Sequence, residues 1–244
     1  MKIAVLSDIH SNSLALKAVL KDIDTISNLD DVWCLGDILG YGPDPLGSFS
    51  ALAQYNPLAI KGETDQIIAS EKIPAYITGD VKDAFYWMST ILSPEQKDFL
   101  LKLPEKVAND EFTLVHGSPR LPLKESIVAN GIANANLNYF STRYCLAGRS
   151  CEAGMFVKLP GANCEYKKLE AGQIYDLSYE RMIINPGSVG SPADHDPRAS
   201  YGILDLNKMT WEHHRVEYDH ELFMKQVQDV GFPYDYYLKT TRGE

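Results

Sequence analysis

The first twelve residues, MKIAVLSDIHSN, constrain the fold more than any other stretch of the chain. The segment from Lys2 to Leu6 is a short apolar run that ends in a polar turn, which predicts a buried β-strand. Asp8 and His10 follow at its carboxyl end, where open α/β sheets bind their ligands. A carboxylate and an imidazole at this position form a candidate metal half-site. The same two residues also fit a helix-capping aspartate and a surface histidine, so the motif needs support from elsewhere.

Composition excludes several classes of protein. The 244 residues suit a single domain spanning 1–244, and 45% of them are hydrophobic. The net charge of −10 argues against binding nucleic acid through a broad basic surface. No apolar run approaches the length of a membrane span, and no signal peptide is expected. Four cysteines match no zinc-finger spacing, which favours reduced thiols in a cytoplasmic protein.

The order of predicted elements indicates the architecture. Three strand–loop–helix units up to Lys61 predict a parallel sheet with right-handed crossovers. Further strands are predicted at 112–115 and 144–147, and short strands between 155 and 216 favour a mostly antiparallel second half. We therefore expect an α/β (α+β) fold with a two-sheet β-sandwich core flanked by helices.

Polar side chains recur where the predicted strands end. They are Asp8 and His10, Asp37, residues 63–65, His116 and residues 149–151. If five of the strands run parallel, all of these groups meet at one edge and form a single site.

These motifs together resemble those of the calcineurin-like metallophosphoesterases, in the branch of small bacterial and archaeal phosphodiesterases. Asp8-Ile-His10, Gly36-Asp37 and the lone His116 match the family pattern. The loop at 40–45 and the segments 185–190 and 196–200 also resemble this branch. The resemblance implies the calcineurin-like fold and a small phosphorylated substrate or nucleotide. A homo-oligomer is also possible.

The family's chemistry uses two divalent metal ions about 3.5–4 Å apart, which share a bridging carboxylate and a bridging water. By position, Asp8 and His10 resemble ligands of the first metal, and His116 resembles a ligand of the second. Asp37 resembles the bridging carboxylate, which makes it a candidate catalytic residue. One or two ions of Mn, Fe or Zn are therefore the expected cofactor.

Two motifs depart from the family pattern. The family's G-N-H-D is represented by residues 62–65, where Glu63 replaces the metal-binding Asn and Thr64 replaces a His that acts on the leaving group. The family's G-H-x-H is represented by residues 148–151, where Arg149 and Cys151 replace two His ligands.

The departures allow two hypotheses for the metal site. In the first, a Glu63–Arg149 ion pair replaces the second metal, and Arg149 binds the substrate phosphate as a catalytic and substrate-binding residue. Cys151 then completes a one-metal site as a thiolate ligand, which favours zinc. In the second, Glu63 binds the second metal together with Asp37 and His116. In that second arrangement the Arg149 guanidinium would lie about 4 Å from a dication. At an effective dielectric constant of 20, the repulsion would cost about 4 kcal/mol per unit of metal charge. This cost favours the hypothesis with one metal.

Two further alternatives stay open at this point. His195, in the loop from Pro192 to Pro197, either replaces a lost His ligand or is a solvated loop residue, and Cys151 also fits an ordinary small thiol. The retained ligands favour a phosphodiesterase-type hydrolase. The loss of three family His residues favours a protein that binds a phosphate or nucleotide without hydrolysing it.

Overall fold

The computed structural model describes residues 1–158, 160–179, 181–233, 237 and 240–243. Within these residues the chain forms twelve strands. They are β1 (Lys2–Leu6), β2 (Leu29–Cys34), β3 (Leu58–Ala59), β4 (Lys106–Ala108), β5 (Phe112–Val115), β6 (Tyr144–Ala147), β7 (Ala153–Lys158), β8 (Cys164–Lys168), β9 (Ile174–Asp176), β10 (Arg181–Pro186), β11 (Ala199–Asp205) and β12 (Thr210–Val216).

The described residues also form α-helices and two short 3₁₀ turns, at Leu137–Tyr139 and Thr240–Arg242. The helices are α1 (Ser13–Ile23), α2 (Pro45–Ala53), α3 (Glu63–Ser70), α4 (Gly79–Ile91), α5 (Pro94–Lys102), α6 (Asn130–Asn136) and α7 (His220–Asp229). In the described part of the chain, no helix is long and apolar enough to cross a membrane.

The strands form two six-stranded sheets that pack face to face. The first has the order β3-β2-β1-β11-β12-β9, and the second has the order β4-β5-β6-β10-β7-β8. Strands β1, β2 and β3 are parallel neighbours in the first sheet, and β5, β6 and β10 are parallel neighbours in the second. The predicted two-sheet core flanked by helices is confirmed.

Side-chain alternation along β1 explains this layering. Ile3 and Val5 point into the core between the sheets, together with Trp211 of the first sheet and Tyr144 of the second. Ala4 and Leu6 point the other way, toward the cluster that includes the buried faces of α1 and α4. Successive side chains of a strand face opposite sides of the sheet. A strand that is buried on both faces therefore has a continuous apolar sequence, as β1 does.

Two sequence-based expectations are wrong. The strands that carry the polar groups do not share one edge; their carboxyl ends belong to two sheets that face each other. Residues 63–65 are not a loop, because Glu63 begins helix α3.

Candidate metal centre

Backbone hydrogen bonds bring the loops after β1 and β2 together. The N–H of Asp8 donates to Gly36 O at 3.1 Å, and the N–H of His10 donates to Asp37 O at 3.0 Å. Both loops continue from parallel neighbouring strands, so their side chains point into the same space. The first sheet thus contributes Asp8, His10 and Asp37 to one site.

The second sheet contributes His116 after β5 and the loop 148–151 after β6. The Nδ1–H of His116 donates to Leu35 O at 2.9 Å, which ties the two sheets together at the site. A carbonyl can only accept, so Nδ1 carries a proton and Nε2 is directed toward the carboxylates. A metal-binding histidine commonly has this arrangement, because a hydrogen bond to its other nitrogen orients the ring.

The site residues share an uncommon backbone conformation. Positive φ angles occur at Asp8 (54°), His10 (49°), Asp37 (52°), Arg149 (66°) and Cys151 (57°). Residues with a side chain rarely adopt this region, and it concentrates at functional sites. Each loop therefore turns sharply directly after its strand, which aims the side chain inward.

Two overlapping groups of side chains are arranged to hold a cation. One contains Asp8, His10 and Cys151; the other contains Asp8, Asp37 and His116; within each group the ligand atoms all lie within 4.8 Å of one another. Asp8 Oδ1 is 3.6 Å from His10 Nε2, and Asp37 Oδ2 is 3.2 Å from His116 Nε2. Neither contact has the alignment of a hydrogen bond, which is how ligands around a shared ion are arranged.

The hydrogen bonding of these residues fits a cation. Asp8 Oδ1 and His116 Nε2 are buried and lack a hydrogen-bond partner among the described residues. Leaving such atoms unpaired costs about 1–3 kcal/mol each. An ion coordinated at this point would satisfy the carboxylate and imidazole atoms that face it. The donor set of oxygen, nitrogen and sulfur suits a transition metal such as zinc.

The electrostatics of the site couple Asp37 to His116. Burial alone would raise the pKa of Asp37, but several favourable interactions, chiefly with the charge of His116, together hold that pKa well below its usual range. Burial would likewise lower the pKa of His116, but the Asp37 carboxylate raises it to about 9. Without a metal, the chain therefore compensates the negative charge of Asp37 with a protonated imidazole.

Cys151 lies at the rim of the cluster, with Sγ 3.8 Å from His10 Nε2. Burial, together with the charges of Asp8 and Asp37, raises the pKa of this thiol well above its usual range. The thiol is therefore neutral in the metal-free chain, and a thiolate at this position requires a cation beside it. None of the four cysteines forms a disulfide.

The residues that depart from the family pattern pair with one another. Arg149 Nη1 donates to Glu63 Oε2 at 2.6 Å and to Leu123 O at 3.0 Å. The hydroxyl of Tyr76 donates to Glu63 Oε1 at 2.9 Å, and the backbone N–H of Arg149 donates to Asp8 Oδ2 at 2.9 Å. The structure thus contains the ion pair predicted from the two altered motifs.

Helix α3 places Glu63 where it can meet Arg149. Gly62 precedes the helix, and Asp65 accepts from the Gly62 N–H at 3.0 Å and from the Leu39 N–H at 2.9 Å. Asp65 therefore caps α3 and anchors the loop after β2. The N–H of Thr64 donates to Asp37 Oδ1 at 2.9 Å, and its hydroxyl donates to Leu39 O. The first turn of α3 thus orients Asp37.

The predicted site residues fall into two sets. Asp8, His10, Asp37, His116 and Cys151 belong to the groups that can hold a cation. Glu63 belongs to neither group, because its carboxylate is bonded to Arg149 and Tyr76.

His195 is outside the site as well: it is exposed, and its N–H donates to Gly243 O at 2.7 Å. Sequence reasoning missed Tyr76 and the capping role of Asp65. The Gly62-x-x-Asp65 spacing could have indicated the cap, but nothing in the sequence marks Tyr76.

The fold and the clustered ligands define a protein of the metallophosphoesterase class. The family model for the calcineurin-like phosphoesterase superfamily domain matches residues 1–209. An uncharacterized protein of Methanocaldococcus jannaschii is 32% identical over 223 residues, which cover 89% of this chain and 88% of that protein. This chain therefore belongs to the calcineurin-like phosphoesterase superfamily, a family of metal-dependent phosphoester hydrolases that act on phosphorylated substrates.

Solved structures agree with this assignment over the whole chain. A metallophosphoesterase from Sphaerobacter thermophilus superposes with a TM-score of 0.89 at 33% identity, covering 100% of this chain and 99% of its own. A hypothetical protein from Pyrococcus horikoshii shares the fold with a TM-score of 0.82 at 21% identity, covering 100% of this chain and 98% of its own.

Proposed function

We propose that this protein is a phosphodiesterase-type hydrolase with one catalytic metal and an arginine in place of the second metal. The observation that carries the proposal is the contrast around Asp8, where unpaired ligand atoms lie beside a fully formed Glu63–Arg149 pair. The substrate is a small phosphorylated compound, such as a nucleotide. A cytoplasmic location and a homo-oligomer stay predictions.

Asp8, His10, Asp37 and Cys151 would hold the metal, with His116 supporting Asp37. The two candidate groups have Asp8 in common, and we assign one ion to both. A divalent ion supplies Lewis acidity toward the phosphoryl group and lowers the pKa of a water bound to it. The protein's contribution is to fix the ligands on sharply turned loops and to neutralise Asp37 with His116.

Arg149 would bind the phosphate through the part of its guanidinium that faces away from Glu63. Its Nη1 is used by Glu63 and Leu123, whereas Nε is buried and unpaired among the described residues. The edge formed by Nε and Nη2 can donate two parallel hydrogen bonds to phosphate oxygens. Glu63 and Leu123 would hold the guanidinium in place, so that little entropy is lost on binding.

A second candidate function is phosphate or nucleotide binding without turnover. It is favoured by Thr64, which occupies the position of the family's leaving-group His and whose hydroxyl donates to Leu39 O. A missing acid–base group typically lowers the rate by about 10² to 10⁴. Either function uses the same phosphate contact at Arg149.

The test is hydrolysis of bis(p-nitrophenyl) phosphate by protein loaded with Zn²⁺, Mn²⁺ or Fe²⁺. We expect turnover that is lost in Asp8→Asn and retained in Asp219→Asn, where the substituted carboxylate caps the distant helix α7. Tight binding of inorganic phosphate with no turnover by any metal-loaded form would replace the hydrolase with the binding protein.

A further inference from the structure

A cleft opens on the second sheet directly beside the loop that carries Arg149 and Cys151. Its lining includes Ile127, Val128, Ser150, Glu152, Tyr166 and Asn185, and it has about 360 Å³ of empty space, part of which is open to solvent. None of these residues belongs to the metal cluster. The cleft is therefore a separate space that adjoins the site.

One wall of the cleft is the ring of Tyr166 on β8. The ring lies over Gly154 of β7, where an added Cβ would come within 2.3 Å of ring atom Cε2. It also packs against Phe156, with ring centroids 5.1 Å apart, and its hydroxyl donates to Ala153 O at 3.3 Å. Glycine at 154 thus lets a tyrosine lie along the strand, while 41% of its surface stays exposed.

Another part of the lining is aliphatic. Val128 is 58% exposed although it is a large apolar residue, and its neighbour Ile127 is buried. Both line the same cleft as Tyr166. An aromatic ring and branched aliphatic side chains that line one cleft suit a flat, apolar ring.

The cleft adjoins the loop 148–151, because Ser150 is part of its lining. Asn185 Nδ2 donates to Gly148 O and to Ser150 Oγ, each at 2.8 Å. Ser150 stands between Arg149 and Cys151 in the chain, so a group in the cleft lies next to the proposed phosphate site. The segment with Ile127 also includes Leu123, whose carbonyl accepts from Arg149.

The polar group on the lining is the carboxylate of Glu152. Its side chain has no hydrogen bond or ion pair with any residue that the structure describes. Burial, and to a smaller extent the charge of Glu152, raises the pKa of the Tyr166 phenol. A carboxylate only accepts hydrogen bonds, and its two oxygens match two adjacent N–H donors. Among the common nucleobases, guanine presents such a pair, at N1–H and the exocyclic amino group.

We propose that this cleft binds the base of a guanosine phosphoester, with the ring stacked on Tyr166 beside Val128 and its N–H edge on Glu152. The proposal rests on the proposed function in that the phosphate would reach Arg149 from the same cleft. It adds a substrate class and a specificity-determining pair, Tyr166 and Glu152, to a site otherwise defined only by its phosphate chemistry.

The test is calorimetric binding of GMP, AMP, guanosine and ribose 5-phosphate to the full-length, metal-loaded protein. Stacking on an aromatic side chain should make GMP bind about tenfold more tightly than ribose 5-phosphate. A carboxylate that discriminates the base edge should make GMP bind about tenfold more tightly than AMP. Tyr166→Leu should abolish the preference for GMP over ribose 5-phosphate, and Tyr166→Phe should keep it. Glu152→Gln should abolish the preference for GMP over AMP.

Two controls keep these results interpretable. Glu165→Gln changes a carboxylate on the opposite face of β8 and should leave both differences intact. Val128→Asp alters an exposed residue of the aliphatic lining, so it tests the cleft without disturbing the sheet and should weaken GMP binding as Tyr166→Leu does.

Equal affinity for GMP and ribose 5-phosphate, with no binding of guanosine, would overturn the base site. The proposed function would still stand if bis(p-nitrophenyl) phosphate were hydrolysed. Conversely, guanosine binding that depends on Tyr166 in a protein without any hydrolytic activity would keep the base site and refute the hydrolase. A GMP preference unchanged in Glu152→Gln would overturn the assignment of guanine to that residue.

Discussion

The two sides of the candidate metal centre differ in how their polar atoms are satisfied. On the side that matches the family pattern, Asp8, His10 and His116 each keep a buried atom with no hydrogen-bond partner among the described residues. On the altered side, both carboxylate oxygens of Glu63 accept hydrogen bonds, from Arg149 and Tyr76. Arg149 Nε on this side is also buried without a partner among the described residues, but it is a donor and cannot bind a cation. Unpaired carboxylate and imidazole atoms indicate where a cation belongs, and the paired carboxylate of Glu63 indicates where the chain supplies its own charge.

The comparison also explains why the substitutions at 63 and 149 occur together. An arginine alone would place an uncompensated cation near the metal, and a glutamate alone would leave a partly buried carboxylate without a partner. As a pair they are neutral, with the two side chains 23% and 15% exposed.

The largest effect is expected on the side with unpaired atoms. Changing Asp37 to Asn removes a ligand charge and the partner of His116. Changes to a residue that only hydrogen-bonds a metal ligand already weaken metal binding by about 10- to 100-fold, so the loss of a ligand should exceed that range. Elemental analysis after dialysis, with Asp219→Asn as the matched control, measures the effect. Full metal retention in Asp37→Asn would remove this residue from the site.

On the paired side, Arg149→Ala should weaken binding of inorganic phosphate by about 10- to 100-fold, because hydrogen bonds to charged groups contribute about 1.5–3 kcal/mol each. Metal content should not change. Arg120→Ala is the control, since it removes a similar arginine–glutamate pair, with Glu125, on a neighbouring loop. The double variant Arg149→Ala/Glu63→Gln removes the carboxylate that Arg149→Ala alone leaves unpaired, so it shows whether the charge of Glu63 repels the phosphate. Unchanged phosphate affinity in both Arg149 variants would contradict the phosphate role.

Two buried histidines, His116 and His213, show how a neighbouring carboxylate changes the pKa of a buried imidazole. His116 has Asp37 beside it, whereas burial and the charge of Arg215 lower the pKa of His213 to about 3. Because the folded pKa of His213 lies below the unfolded value of 6.5, its contribution is intact above pH 6.5 and is lost as the pH falls toward 3. The unfolded state takes up the proton first.

We therefore expect His213 to lower the free energy of unfolding by about 1.4 kcal/mol per pH unit between about 6.5 and 5. Urea unfolding at pH 7 and pH 5 should show a smaller loss in His213→Gln than in the wild type. Identical losses in the two proteins would mean that His213 titrates normally in the folded state.

The smallest effect is expected from Tyr76→Phe. Its hydroxyl donates to Glu63, but the side chain is 66% exposed, so the free energy of unfolding should fall by less than about 1 kcal/mol. Phosphate affinity should change little, because Leu123 and Glu63 still hold Arg149. A loss of phosphate affinity equal to that of Arg149→Ala would mean that Tyr76, rather than Glu63, positions the guanidinium.

Much of the site could be predicted from the sequence because its residues follow strands directly. The predicted strands at 112–115 and 144–147 have the bounds that the structure gives them, so His116 and Arg149 were placed correctly. Helix α3 was missed because its cap is formed by Asp65 inside the helix rather than by a polar residue before it. Tyr76 and the Leu123 carbonyl reach Arg149 through loops, and no local periodicity encodes such contacts.

Metal stoichiometry tests the central claim most directly. Purified protein loaded with Zn²⁺, Mn²⁺ or Fe²⁺ and freed of excess should bind one equivalent per chain. The double variant Glu63→Asn/Arg149→His restores the family residues at the altered side and should bind two, which shows that the assay can detect a second ion. Two equivalents in the wild type would contradict the account, because Arg149 could not then occupy the place of the second metal.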